Sequence, residues 1–130
     1  MNERVQKGSH NPDNVINNRD RLPAPDAALL TEHPELAEQF RDSQIESVRN
    51  GVRGAAYEWQ LYTRPWGFRL DAITMAVHLW YGAEDVNVPP AMGRYLASQL
   101  PNSHLTTLPK EAHLSLINNH IDDILKTIVP

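Results

Sequence analysis

The sequence predicts an α/β fold built around a small parallel sheet. Three observations carry that prediction. Two short apolar runs, 73–81 and 104–108, have strand length. Between them lies a segment with Met92, Leu96 and Leu100 at i, i+4 and i+8, the repeat of a helix face. After the second run comes another amphipathic segment, with Ile117, Ile121, Ile124, Leu125 and Ile128 on one side. Strand, helix, strand, helix in that order implies parallel strands joined by a right-handed crossover.

Taken along the chain, three portions differ in character. Residues 1–25 are polar and rich in Asn, Asp and Pro. They hold too little apolar surface to offset the entropy of ordering, so a flexible polar arm is expected. Residues 26–70 read as short helices. Asp26 is placed to cap A-A-L-L, and Thr31 to cap the turn carrying Pro34, which a first helical turn tolerates. Ser43 and Glu46 have capping-box spacing before a helix that stops near Asn50-Gly51. Helical character resumes over 54–61. Such short helices need a surface to lie on. Trp59, Trp66, Phe68 and Trp80 are expected to pack in the core.

Residues 71–130 form the sheet portion. The strand over Ile73–Tyr81 is expected to bury Val77, Leu79 and Trp80. Pro89 or Pro90 opens the next helix and Pro101-Asn102 stops it. A second strand covers His104–Leu108, and the last helix runs from about Leu116 to Ile128.

Composition narrows the function classes. A net charge of −4, with twelve basic residues spread along the chain, argues against nucleic acid or an anionic membrane as partner. Without cysteine there are no disulfides, thiolate metal sites or cysteine nucleophiles. The absence of Cys fits a reducing compartment. No apolar run reaches membrane-spanning length and no signal peptide opens the chain, so a cytoplasmic protein is expected. His104, His113 and His120 are spaced nine and seven apart, which suits no helical ligand pair. No metal or other cofactor is expected. Arg64 and Arg69, flanking P-W-G-F, read as solvated loop charges.

Asp85 and His113 carry the chemistry. Asp85 follows the first strand in V-H-L-W-Y-G-A-E-D, and His113 follows the second in L-P-K-E-A-H. Each taken singly has a bland reading: Asp after Gly is common in turns, and a lone His is usually a surface residue. Together they would sit at the C-terminal ends of successive parallel strands, where open α/β sheets place their active sites. An acid beside an imidazole there fixes its tautomer and stabilises the imidazolium, the base-orienting half of a catalytic triad. Glu84 and Glu111 rank below them. No G-x-S-x-G occurs, and Ser115, the serine nearest His113 in sequence, follows it rather than occupying an elbow of its own.

The segments V-H-L-W-Y-G-A-E-D-V-N-V-P, M-G-R-Y-L-A-S-Q-L-P-N-S and L-P-K-E-A-H-L-S-L resemble the C-terminal part of an α/β-hydrolase-fold protein. In that family the acid follows the penultimate strand and the histidine the last, the places held here by Asp85 and His113. R-P-W-G-F and the helices before it resemble the end of a lid. The resemblance spans roughly 27–129. It implies a partial α/β-hydrolase fold of two parallel strands with flanking helices and a helical lid remnant over 26–70, with residues 71–130 as the C-terminal part of the hydrolase domain. Three departures stand out. Tyr81-Gly82 replaces the frequent His-Gly. Ala112 replaces the usual Gly before the histidine, and because Ala resists positive φ a differently set histidine loop is expected. The nucleophile elbow and oxyanion-hole loop are missing.

The resemblance implies a hydrolase of ester- or amide-type bonds, with His113 as general base and acid and Asp85 as its orienting acid. The incomplete triad implies inactivity alone, as in a truncated or split protein. A complementary N-terminal half or self-association is the expected partner, with a small-molecule substrate only once the site is completed. The rival readings are a non-catalytic interaction module and a decayed fragment. With an unpaired strand edge and uncovered apolar helix surface, the isolated chain is expected to be self-associated or only partly ordered.

Overall fold

A computed structural model describes residues 21–128. Most of the expected arm lies outside them, but its last two residues are helical: α1 runs Ala24–Glu32. The elements that follow are α2 (Pro34–Ser47), α3 (Arg53–Tyr62), a 3-10 turn (Leu70–Ala72), β1 (Val77–Gly82), α4 (Pro90–Gln99), β2 (Ser103–Leu108) and α5 (His113–Lys126). The chain forms two compact units: residues 21–22 and 30–64 fall in one, residues 23–29 and 65–128 in the other. Among the described residues no helix is long and apolar enough to cross a membrane.

The first unit is helical, and two local expectations fail in it. Ser43 lies inside α2, so it caps nothing; the good helix formers from Glu35 onward carry one helix past it to Ser47. Thr31 lies inside α1, and α2 opens on Pro34 with no side-chain cap at its N-cap residue His33. The connection to α3 turns at Gly51, whose φ of 90° a side-chain-bearing residue resists. α3 has no buried residue. Its Trp59 is 71% exposed and stacks edge-on against Tyr62 at 5.8 Å. In the second unit Trp66 and Phe68 are exposed as well, paired with each other at 5.8 Å. Of the four aromatics expected in the core, only Trp80 is even half-buried.

The second unit contains the sheet. β1 and β2 are parallel and in register, from Val77 opposite Ser103 to Gly82 opposite Leu108. The fold is therefore of mixed α/β character, with helices and a two-stranded parallel sheet. β1 starts four residues later than the apolar run suggests. The 3-10 turn, closed by the Arg69–Asp71 pair, ends at Ala72, and residues 73–76 lead from it into the strand without regular structure. Ladder pairing begins only where Asn102 reaches the chain, its carbonyl accepting from Val77 N–H at 2.9 Å. Val77, Leu79 and Trp80 are half-buried rather than buried.

Helix α4 makes the crossover. It turns Gly93, Leu96 and Ala97 inward, its C-cap Leu100 is buried beyond them, and Met92 is exposed. Gly93 is the contact point, because a Cβ there would lie 2.6 Å from Cδ2 of the Tyr81 ring. α5 buries Ser115 and Leu116 but not its isoleucine stripe. Ile117 is 57% and Ile128 66% exposed, with Ile121 and Leu125 between them also open. Of the expected inner face of the last helix, only Ile124 is half-buried; the rest is exposed. α5 kinks at His120 (φ −127°, ψ 15°), whose side chain turns to Glu111.

Gly82 ends β1 against the loop after β2. A Cβ there would come within 2.6 Å of the Glu111 carbonyl carbon and 2.8 Å of the Ala112 nitrogen, both backbone atoms that cannot rotate away. Gly82→Ala is expected to destabilise the chain by about 1–3 kcal/mol, the usual cost of overpacking, as read by denaturant unfolding.

Candidate active site

Parallel strands joined by one crossover bring the loops after β1 and β2 to the same edge. Backbone hydrogen bonds then join the two loops. Ala83 N–H donates to the Leu108 carbonyl at 2.8 Å, and Glu84 N–H to the Glu111 carbonyl at 2.9 Å. Asp85 N–H donates back to the Gly82 carbonyl at 3.2 Å, closing the turn.

The two carboxylate oxygens of Asp85 have different tasks. Oδ1 accepts from the backbone N–H groups of Asn87 and Val88 at 2.8 and 2.9 Å. This is the turn role that an Asp at such a position commonly has. Oδ2 lies 3.0 Å from Nδ1 of His113. The turn contacts and the contact to His113 thus coexist on Asp85, one set on each oxygen. The Asp85 side chain is 6% exposed and that of His113 43%. The carboxylate is fixed by two donors while the imidazole, held at one nitrogen, remains open to solvent. With Nδ1 engaged, Nε2 is the nitrogen left for proton exchange with another group.

The histidine loop tolerates Ala112. Its backbone is extended (φ −125°, ψ −151°), so the departure from Gly requires no left-handed residue, and Ala112 is fully buried. Helix α5 begins at His113 itself. Ala112 has no side-chain acceptor, so the first turn of α5 is capped from elsewhere. Asp26, 1% exposed, accepts from the N–H groups of Leu114 and Ser115 at 3.0 and 2.9 Å through Oδ1. Asp26 therefore caps α5 rather than the start of α1, where the sequence had placed it.

Glu111 and His120 form a second pair beneath the loop. The Glu111 carboxylate accepts from Nε2 of His120 at 3.0 Å and from the Asn119 amide at 3.2 and 3.3 Å. The Ser115 hydroxyl bonds to it too. Burial pushes the Glu111 carboxyl up. The hydrogen bonds from Ser115, His120 and Asn119, with the charge of His120, together outweigh that and hold it below its ordinary value.

The remaining candidates separate from the pair. Glu84 is exposed. Ser115 is buried and its Oγ accepts from Ala112 N–H at 2.8 Å, so its place is in the loop scaffold. Ser47, Ser98 and Ser103 bond to nearby backbone carbonyls. Ser9 lies outside the described residues. His104 stacks on His78 across the sheet, ring centroids 5.0 Å apart. Among the described residues no three His, Asp or Glu side chains cluster as a metal site would require. Arg69 is engaged by Asp71 in solvent.

Sequence reasoning missed Asp26 and the Glu111 cluster. The absence of any Ser, Thr, Asp or Asn before α5 was the signal for the first, since a helix beginning after Ala needs an outside acceptor. Glu111 and His120 are nine residues apart across a kink, a spacing with no periodic signature. Compared with known proteins, the chain matches no family model, no curated protein and no solved structure.

The depressed Glu111 carboxyl has a definite pH consequence. Its contribution to stability is complete above the unfolded value of about 4.3 and is lost as pH falls through the lower folded value. Glu111→Gln removes that dependence. The stability gap between wild type and E111Q, measured by urea unfolding from about pH 6 to about pH 3, is expected to narrow as the solution becomes more acidic.

Proposed function

We propose that this chain supplies the acid and the histidine of a hydrolase-type catalytic triad, with the nucleophile and its oxyanion-binding loop contributed by residues beyond this sequence. The observation that carries the reading is the 3.0 Å contact between Asp85 Oδ2 and His113 Nδ1 at the C-terminal ends of adjacent parallel strands. In this reading Asp85 holds the neutral ring with its proton on Nδ1. Nε2 then accepts the proton of an attacking hydroxyl, and Asp85 stabilises the imidazolium that results. The same Nε2–H protonates the leaving group when the scissile bond breaks. The bond class is that of the α/β-hydrolase family the sequence resembles, an ester- or amide-type bond in a small molecule.

Two further features support completion by another piece. A parallel sheet is ordinarily covered on both faces and extended at its edges, and two strands are too few to be stable unaided. The isoleucine stripe of α5 and the aromatic rings of α3 are exposed apolar surface of the kind that marks an interaction site. A complementary sheet-bearing half with the nucleophile is the partner that would use both the surface and the dyad.

The test is hydrolysis of an activated short-chain ester. The chain alone is expected to show no turnover above its His113→Ala variant. Co-expressed with a polypeptide encoded beside it that carries a G-x-S-x-G elbow, it is expected to form a complex whose turnover falls by about 10⁴-fold or more with H113A, and comparably with Asp85→Asn. A complex with activity indifferent to both substitutions would overturn the proposal and favour a non-catalytic interaction module.

A further inference from the structure

We propose that Asp26 is a positioning residue for His113, acting by completing the N-terminal cap of the helix on which His113 is the first residue. The inference rests on the reading of Asp85 and His113 as a proton-relay pair, and it adds a third carboxylate that the pair depends on.

The argument starts from the first turn of α5, whose leading N–H groups have no partner within the helix. A capping box would meet this with two reciprocal bonds, one from the cap residue's side chain and one from the residue three positions on. Only the second is available locally: Ser115 Oγ accepts from Ala112 N–H at 2.8 Å. Ala112 cannot make the first. Asp26 makes it instead, accepting from both Leu114 and Ser115 N–H at 3.0 and 2.9 Å, from 88 and 89 residues away in the chain. A buried carboxylate at a helix N-terminus also faces the positive end of the helix dipole.

His113 lies between the two halves of this cap. Its neighbour Ala112 is held by Ser115, and its neighbours Leu114 and Ser115 are held by Asp26. The backbone of His113, and hence the direction of its Cα–Cβ bond, is therefore fixed from both sides. The side chain itself is 43% exposed and has one described polar contact, Asp85. A half-exposed ring with one hydrogen bond does not hold its own backbone in place, so the cap decides whether Nδ1 meets Oδ2. Asp26 touches neither the ring nor any reacting atom. Its effect is transmitted through the first turn of α5.

The experiment is long-range ¹H–¹⁵N NMR of the imidazole nitrogens in the full chain, at a pH where the His113 ring is neutral. Wild type is expected to show a protonated Nδ1 and a bare Nε2. Asp26→Ala is expected to lose that signature and give the tautomer mixture of an unrestrained histidine. Asp26→Asn, which keeps an acceptor oxygen at Oδ1, is expected to retain it. Leu29→Ala, a buried change in the same segment, is the control for general destabilisation and is expected to retain the signature at a matched loss of Tm. Retention by D26A, or equal loss by L29A, would overturn the inference while leaving the dyad intact. A wild-type ring protonated on Nε2 would instead overturn the dyad reading itself. If D26A gives no folded spectrum, D26N decides by amide exchange: protected Leu114 and Ser115 amides together with the retained signature support the inference, and either one without the other overturns it.

Discussion

The close approach of Gly82 to the Glu111–Ala112 backbone is the contact on which the candidate site depends. It allows the Glu84 N–H to reach the Glu111 carbonyl at 2.9 Å, so the loop bearing Asp85 and the loop bearing His113 become one piece of structure. Parallel pairing of β1 and β2 delivers the loops to one edge, but it leaves their tips free to diverge. The stitch at Gly82 removes that freedom. Below it, the Glu111 carboxylate gathers Ser115, Asn119 and His120, and so ties the same loop to the body of α5 across its kink. One residue thus serves both sides, its carbonyl toward the acid turn and its carboxylate toward the helix.

The same region shows how carboxylates acquire distinct tasks from their donors alone. Asp85 meets two backbone donors and one imidazole, Asp26 two backbone donors at a helix end, and Glu111 three side chains. All three are largely buried, and each burial is compensated by hydrogen bonds, as buried acids require. Only Asp85 directs an oxygen to a ring that remains open to solvent. That asymmetry distinguishes the candidate functional pair from the two structural clusters, although all three are built from the same residue types.

Much of the sheet and of the Asp85–His113 contact was legible in the sequence because both depend on chain order. Two apolar runs separated by a helix-length segment define the crossover, and the crossover places Asp85 and His113 on one edge. Burial was not legible in the same way. The stripe of Ile117, Ile121, Ile124, Leu125 and Ile128 shows that the last helix has an apolar face, yet periodicity does not say whether this chain covers it, and beyond the half-buried Ile124 it does not. Trp59, Trp66 and Phe68 follow the same logic. Ser43 has capping-box spacing, but strong helix formers on both sides carried α2 through it. Because caps are usually local, the sequence points Asp26 to the nearest helix start. Its real partner lies 88 residues on, a non-local choice that follows from Ala112 having nothing to offer.

The central claim is that Asp85 and His113 form a coupled pair already in this chain. A double-mutant cycle on Asp85→Ala and His113→Ala, read by chemical unfolding, tests it most directly, because the loss of the Asn87 and Val88 hydrogen bonds occurs on both arms and cancels. The account predicts a coupling near the lower end of the range for residues in contact, about 0.5–1 kcal/mol, since the histidine is half-exposed. Additivity of the two substitutions to within about 0.3 kcal/mol would contradict it.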